Sequence, residues 1–208
     1  MTFVIAIEGP AASGKGTHAR KLAQRFGLKH LDTGLLYRGT AAALLEAGGS
    51  LQDEAAAEAA ARALDLTKLD REILSAHGIG EAASKVAAMA SVRQALLEAQ
   101  QAFANVDTGA ILDGRDIGTV ICPSANVKMF ITASAEERAR RRHKEALGKG
   151  DDVTFETILA DIERRDERDQ RRAEAPLVAA EDAHLIDTSK MDIETAFQTA
   201  CDIVERSR

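Results

Sequence analysis

The chain contains no tryptophan, one tyrosine and six phenylalanines. Proteins that hold single-stranded nucleic acid without sequence preference stack bases on aromatic rings, and too few rings exist here for such a platform. Positive charge is also short: 27 lysines and arginines stand against 33 aspartates and glutamates, a formal net charge of −6. That balance argues against a general nucleic-acid binder, so no nucleic acid is expected among its partners. The two cysteines, Cys122 and Cys201, have neither CxxC spacing nor clustered ligands, and read as buried thiols in a reducing cytosol. No apolar run approaches a membrane span, and the first residues form a strand-like run without a basic leader. A cytoplasmic protein without membrane contact is expected. The only asparagines are Asn105 and Asn126, so the guanine-reading NKxD sequence of a GTP-dependent switch does not occur.

What is present suits one domain of 208 residues with a substantial core. Apolar runs at 3–7, 28–32, 110–113, 127–131 and 184–187 read as short strands. Helical patterns lie between them: Lys15 to Phe26 stopped by Gly27, Thr33 (as cap) to Glu46, Gln52 to Leu64, one long helix from Glu81 to Ala104, Ser134 to about Leu147, Thr154 to Arg172, and Asp192 to Arg206. Strands set among helices predict an α/β fold with a five-stranded parallel sheet covered on both faces. The second strand, ending in Asp32, is expected beside the first. Stretches 33–109 and 135–183 read as helical excursions from the sheet.

Between the first strand and first helix lies EGPAASGKGT, residues 8–17. Small residues there let backbone N–H groups point at phosphate oxygens, and the helix behind aims its positive end at the same place. Lys15 can reach β- and γ-phosphates as a point charge. A hydroxyl that holds Mg²⁺ commonly follows such a lysine directly; here Gly16 intervenes and Thr17 supplies it. Such a loop indicates triphosphate binding without saying what is done with it.

A phosphotransferase working between two anions needs converging cations. Nine of the 18 arginines lie in residues 138–172. Arg165, Asp169 and Arg172 share one helical face by spacing. Taken alone, ERRDERDQRR is more simply a solvated, salt-bridged helix. Two further strand ends change the balance. Asp32 leads into LDTGLLYR with Thr33 and Arg38, and Asp113 leads into Gly114-Arg115-Asp116. Ligands of open α/β sheets bind beyond the carboxyl ends of strands, so loop, Asp and Arg-Asp are delivered to one crevice.

With GPAASGKGT (9–17), LDTGLLYR (31–38), ASKVAAMASVR (83–93), LDGRDIGTV (112–120) and RRDERDQRRAEAPL (164–177) in view, the chain resembles the bacterial cytidylate kinases over nearly its whole length. The resemblance implies a three-layer P-loop kinase whose core is 1–32, 106–134 and 173–208. It implies a helical monophosphate-binding region at 33–105 and a helical lid at 135–172. Gly9, Pro10, Ala11, Ala12, Ser13, Gly14, Lys15, Gly16 and Thr17 would hold the ATP phosphates, with Arg138 and Arg142 closing from the lid. Ser84, Arg93 and Asp116 match cytosine-contacting positions. Arg38, Arg115 and Arg172 match those gripping the monophosphate, and Asp32, Thr33, Arg165 and Asp169 lie near its sugar and phosphate. Lys15, Arg115, Arg165 and Arg172 would carry catalysis, with Mg²⁺ on Thr17 and Asp32 or Asp113 acting through water. Many relatives insert a small sheet before the long helix; residues 64–80 are short for one.

Cytosine presents an amine that a carboxylate can accept from, beside ring acceptors that Arg or Ser can satisfy. Ser84 and Arg93 are nine residues apart and share no helical face, so the long helix must bend or break near 89–91 for both to reach one base. The implied reaction moves the γ-phosphoryl of ATP to CMP or dCMP, in a monomer with small-molecule partners. The nearest rival is the same architecture with UMP or AMP. His18, His30, His77, His143 and His184 are scattered, and none is assigned a catalytic role.

Overall fold

The computed structural model of the protein describes residues 2–74 and 78–208, apart from the side chain of Thr67. His77 lies outside them. Elements follow in the order β1 (Val4–Glu8), α1 (Lys15–Phe26), β2 (Lys29–Asp32), α2 (Thr33–Glu46), α3 (Glu54–Arg62), α4 (Arg71–Leu74), α5 (Ile79–Val86) and α6 (Ala90–Ala104). They continue with β3 (Ala110–Gly114), a π-helix (Ile117–Ile121), β4 (Val127–Thr132), α7 (Ala135–Gly148), α8 (Phe155–Gln170), β5 (His184–Asp187) and α9 (Ile193–Arg206). The five strands form one parallel sheet in the order β2-β3-β1-β4-β5.

One expectation is corrected. β2 does not lie beside β1; β3 stands between them. Strand order is a long-range property that local pattern does not carry. The functional consequence survives, because parallel register sets Asp32 opposite Asp113, and Asp113 opposite Ile7. The carboxyl ends therefore still align at one edge.

Both faces of the sheet are covered, as its continuous apolar strands require. On one, Ile5, Ile7, Ile111, Met129 and Ile131 pack against Leu22 of α1 and Val204 of α9. On the other, Ala6 and Leu112 meet Ala104, Ile117 and Ile121. The excursions have cores of their own: Leu36, Leu44, Ala57, Val86, Val92 and Leu96 in α2–α6, and Ala139, Ile158 and Ile162 between α7 and α8. Cys122 and Cys201 are buried, free thiols.

Helix ends follow local chemistry. Gly27 ends α1 in a left-handed conformation, with its N–H on the Ala23 carbonyl. Ser134, Thr154 and Asp192 cap α7, α8 and α9 through side-chain oxygens. Thr33 is not the cap expected of it. Asp32 holds that position, and the Thr33 hydroxyl instead donates to the Asp113 carbonyl at 2.9 Å, tying β2 to β3. The long helix expected over 81–104 is two helices, with Met89 extended between them. Among the described residues of 64–80 a 3₁₀ turn and α4 occur, and no strand.

Candidate active site

The loop from Gly9 to Thr17 is built around backbone. Gly9 has φ 148°, and a β-carbon there would collide with the Ile131 carbonyl. Ala12 takes φ 60°, a left-handed conformation that an L-residue adopts only at a cost of about 1 kcal/mol or more. Gly14, at φ 91°, precedes α1, and no side chain caps that helix end. Its N–H groups and positive dipole thus face the loop. Lys15 Nζ donates to the Pro10 carbonyl at 3.2 Å. Lys15 keeps some exposure, but its ammonium is enclosed by the loop. Desolvation, then repulsion from Arg115, brings its pKa down to about 7. Thr17 is exposed, and its hydroxyl accepts from Arg20 at 3.4 Å.

Beside the loop stand two carboxylates on adjacent strand ends. Asp113 Oδ1 lies 2.7 Å from His30 Nε2, and Asp32 Oδ2 lies 3.3 Å from Arg71 Nη2. Burial, then the charge of Asp113, pushes the Asp32 carboxyl up.

Across the crevice the walls are side chains. Arg115 Nε donates to Asp169 Oδ2 at 2.9 Å, and Arg165 Nε approaches the same oxygen at 4.0 Å. The two guanidiniums draw Asp169 below the usual carboxylate range although burial opposes them. Arg165 is pressed down to about 9 by burial and by Arg115. Arg172 lies beyond α8, on the Asp169 and Ala87 carbonyls at 3.4 Å, with Nη2 buried and without a partner among the described residues. Arg38 donates to the Leu74 carbonyl at 2.7 Å. Arg93 and Asp116 form a tight buried ion pair, and Arg93 also donates to the Tyr37 hydroxyl at 3.3 Å. Ser84 accepts from Arg168 at 3.0 Å. Ser84 stands on α5 and Arg93 on α6, on either side of the break. Arg38, Arg142 and Arg165 line a cavity of about 390 Å³ together with Ala11 and Arg71.

One lid arginine is otherwise engaged. Arg138 is buried and spends its donors on the Ala133 carbonyl (2.9 Å), the Ala11 carbonyl (3.2 Å) and both oxygens of Asp166 (3.1 and 2.5 Å). It fastens α7 and α8 to the loop rather than projecting into the crevice.

Sequence reasoning overlooked several groups. Arg168 grips Glu81 at 2.8 Å and bridges α8 to α5; its spacing of three from Arg165 was a usable signal. Arg71 had no motif to mark it. Glu8, fully buried, accepts from the Gly118 N–H at 2.8 Å, while its Oε2 has no partner among the described residues. Burial foremost, opposed by that N–H, raises its pKa to about 7. Glu8 thereby joins the residue before the loop to the π-helix that follows Asp116.

Comparison with known proteins bears on the whole chain. Two solved structures share the fold at low identity. One is an uncharacterized protein from Eubacterium ventriosum (TM-score 0.59, 16% identity, 98% of each chain). The other is a sugar kinase from Janibacter sp. (TM-score 0.54, 17% identity, 99% of this chain and 95% of that one). Cytidylate kinase from Rhizobium meliloti is 58% identical over 205 residues, covering 99% of this chain and 97% of that protein. Cytidylate kinase from Brucella suis is likewise 58% identical, covering 99% and 94%. The family model described as cytidylate kinase matches residues 5–206, which takes in the loop, both strand-end carboxylates and the arginine-lined wall alike, and the chain belongs to the cytidylate kinase family.

Proposed function

We propose that this protein transfers the γ-phosphoryl group of Mg·ATP to CMP or dCMP, giving CDP or dCDP, within pyrimidine nucleotide metabolism. The observation that carries the reading is the convergence of Lys15, Arg115, Arg165 and Asp169 at the carboxyl ends of β1 and β3. Arg115 is close enough to Lys15 for its guanidinium to oppose the lysine's charge.

Donor phosphates lie along Gly9–Thr17 in this reading, with Lys15 on their terminal oxygens and Arg142 above. Thr17 Oγ1, Asp32 and Asp113 form an all-oxygen donor set of the kind Mg²⁺ accepts, the rest of its shell coming from phosphates and water. Bound there, Mg²⁺ would draw charge off the phosphates during transfer. The acceptor phosphate lies among Arg38, Arg115, Arg165 and Arg172. It is already ionised near neutral pH, so no general base is required. Catalysis is positioning plus charge stabilisation.

The base edge is read by Asp116, Arg93 and Ser84. A buried Asp116, with one oxygen on Arg93, accepts from the cytosine amine with the other; facing a uracil carbonyl that second oxygen would meet an acceptor, at a cost of several kcal/mol as an order of magnitude. Asp169 and Thr33 lie towards the sugar. We assign acceptor binding to 33–105 and closure over the transferring group to 135–172, and their separate apolar clusters support treating each as a unit. All proposed groups come from one chain, so the site needs no second copy; the reading is of a monomer, and its place of action is proposed to be the cytoplasm. A panel of CMP, dCMP, UMP, AMP and GMP with Mg·ATP tests the reading: CMP and dCMP should turn over at least tenfold faster than the rest. UMP or AMP as the preferred acceptor would overturn it.

A further inference from the structure

We propose that Arg71 is a positioning residue that couples arrival of the donor and its divalent cation to release of Arg38 for the acceptor phosphate, an inference that rests on the kinase reading above. The short helix α4 is tied into the crevice at both ends. At its first residue, Arg71 Nη2 lies 3.3 Å from Asp32 Oδ2. At its last, the Leu74 carbonyl accepts from Arg38 Nη1 at 2.7 Å. The four residues of α4, from one contact to the other, bridge the donor side of the crevice to the acceptor side.

Arg71 also stands over the donor loop. The space where a β-carbon on Gly16 would lie has Arg71 Nη2 at 3.5 Å, Asp113 Oδ2 at 3.5 Å and Arg20 Nη1 at 3.6 Å. A guanidinium thus pairs with Asp32, one of the two strand-end carboxylates that, with Thr17, offer oxygens to a cation, and both it and Asp113 border the space beside Gly16. Two cations compete for one set of anions, so a divalent ion brought by the triphosphate displaces the weaker holder. Arg71 can leave at little cost: its side chain is 45% exposed, against 19% for Asp32.

Arg38 is the acceptor-side group most affected. Arg115 and Arg165 already face the crevice on Asp169, and Arg93 on Asp116. Arg38 is held on a neutral carbonyl instead, and that carbonyl belongs to α4. Once Arg71 gives up Asp32, α4 loses its anchor over the loop and Arg38 its reason to stay on Leu74. The two ligands then help each other bind, and linkage makes the help reciprocal.

Calorimetric titration of CMP, with and without a saturating Mg²⁺ complex of a non-hydrolysable ATP analogue, measures this directly. In the wild type the donor complex should tighten CMP by about fivefold or more. R71A should bind CMP alone nearly as well as the wild type binds it with donor present, and retain less than about twofold coupling. R71K, which keeps the charge, should retain at least half of the coupling on a logarithmic scale. Equal coupling in wild type and R71A overturns the inference, as does a wild type without coupling. R71K as uncoupled as R71A overturns the account based on charge competition. A wild type that binds the donor complex but never CMP would sink the kinase reading itself.

Discussion

The donor loop and the acceptor crevice are both shaped for phosphate, by opposite means. The loop uses backbone: glycines, small residues and a strained Ala12 over one enclosed lysine. The crevice uses side chains, and most of its cations are already held by protein, Arg115 and Arg165 on Asp169, Arg93 on Asp116, Arg38 on Leu74. A backbone site is preorganised, its shape set before the ligand arrives. A side-chain site is stable when empty because its charges are paired, and it discriminates because those pairs must be given up selectively. Removing the single cation of the first should therefore damage turnover most. Removing one of several in the second should shift choice between ligands.

The sharpest break is Lys15→Ala. Turnover should fall by about a thousandfold, in the range seen when one charge-stabilising donor is lost. The fold should persist, because the lysine is held at an energetic cost; a thermal melt within a few degrees of the wild type checks this. Normal turnover would remove the loop from the reaction. Next comes Asp116→Asn. The carboxylate then no longer meets Arg93, and CMP kcat/KM should fall by about a hundredfold while the KM for ATP moves less than about threefold. Equal damage to both substrates would take Asp116 out of the base pocket.

These two regions were also unequally legible in the sequence. The loop lies within ten consecutive residues, and its strand–turn–helix context is local, so α1 and its Gly27 stop were read to the residue. The crevice is assembled from α2, α5, α6, β3 and α8, and only the family resemblance joined those segments. Local pattern misleads elsewhere: it does not carry the insertion of β3 between β1 and β2, and it points to Thr33 where Asp32 holds the cap position. The break between α5 and α6 carries no proline or glycine; only the need for Ser84 and Arg93 to meet one base pointed to it. Arg71 and Glu8 were missed because a single charged residue outside a motif has no signal until its neighbours are known.

Glu8 sharpens the contrast at the seam between the two regions. Its pKa is about 7 in the fold against 4.5 ordinarily, so between those values the fold keeps a proton that the unfolded chain sheds. Stability then falls as pH rises from about 4.5 to about 7, and the full cost persists above that. Glu8→Gln keeps the shape without the titration. The stability difference between variant and wild type, from urea unfolding, should shift in favour of the variant by on the order of 2–3 kcal/mol between pH 4.5 and pH 8. Comparing the two pH values cancels any fixed cost of the amide. No shift would show that Glu8 is solvated and does not join the loop to the π-helix.

The smallest effect isolates the loop's own charge. With a pKa of about 7, Lys15 is largely neutral at pH 8 before the donor arrives. Phosphate oxyanions favour the ammonium, so binding must draw a proton from solution, about 0.9 per site at pH 8 and almost none at pH 6. ATP itself is fully ionised at pH 8 and contributes little. Calorimetry in buffers of different ionisation enthalpy reads this number directly. Lys15→Arg, charged at either pH, should take up none. If wild type and Lys15→Arg take up the same proton, the titrating group lies among the crevice arginines and carboxylates. Lys15 would then carry its charge before the donor arrives, and the loop's one cation would be as preorganised as its backbone.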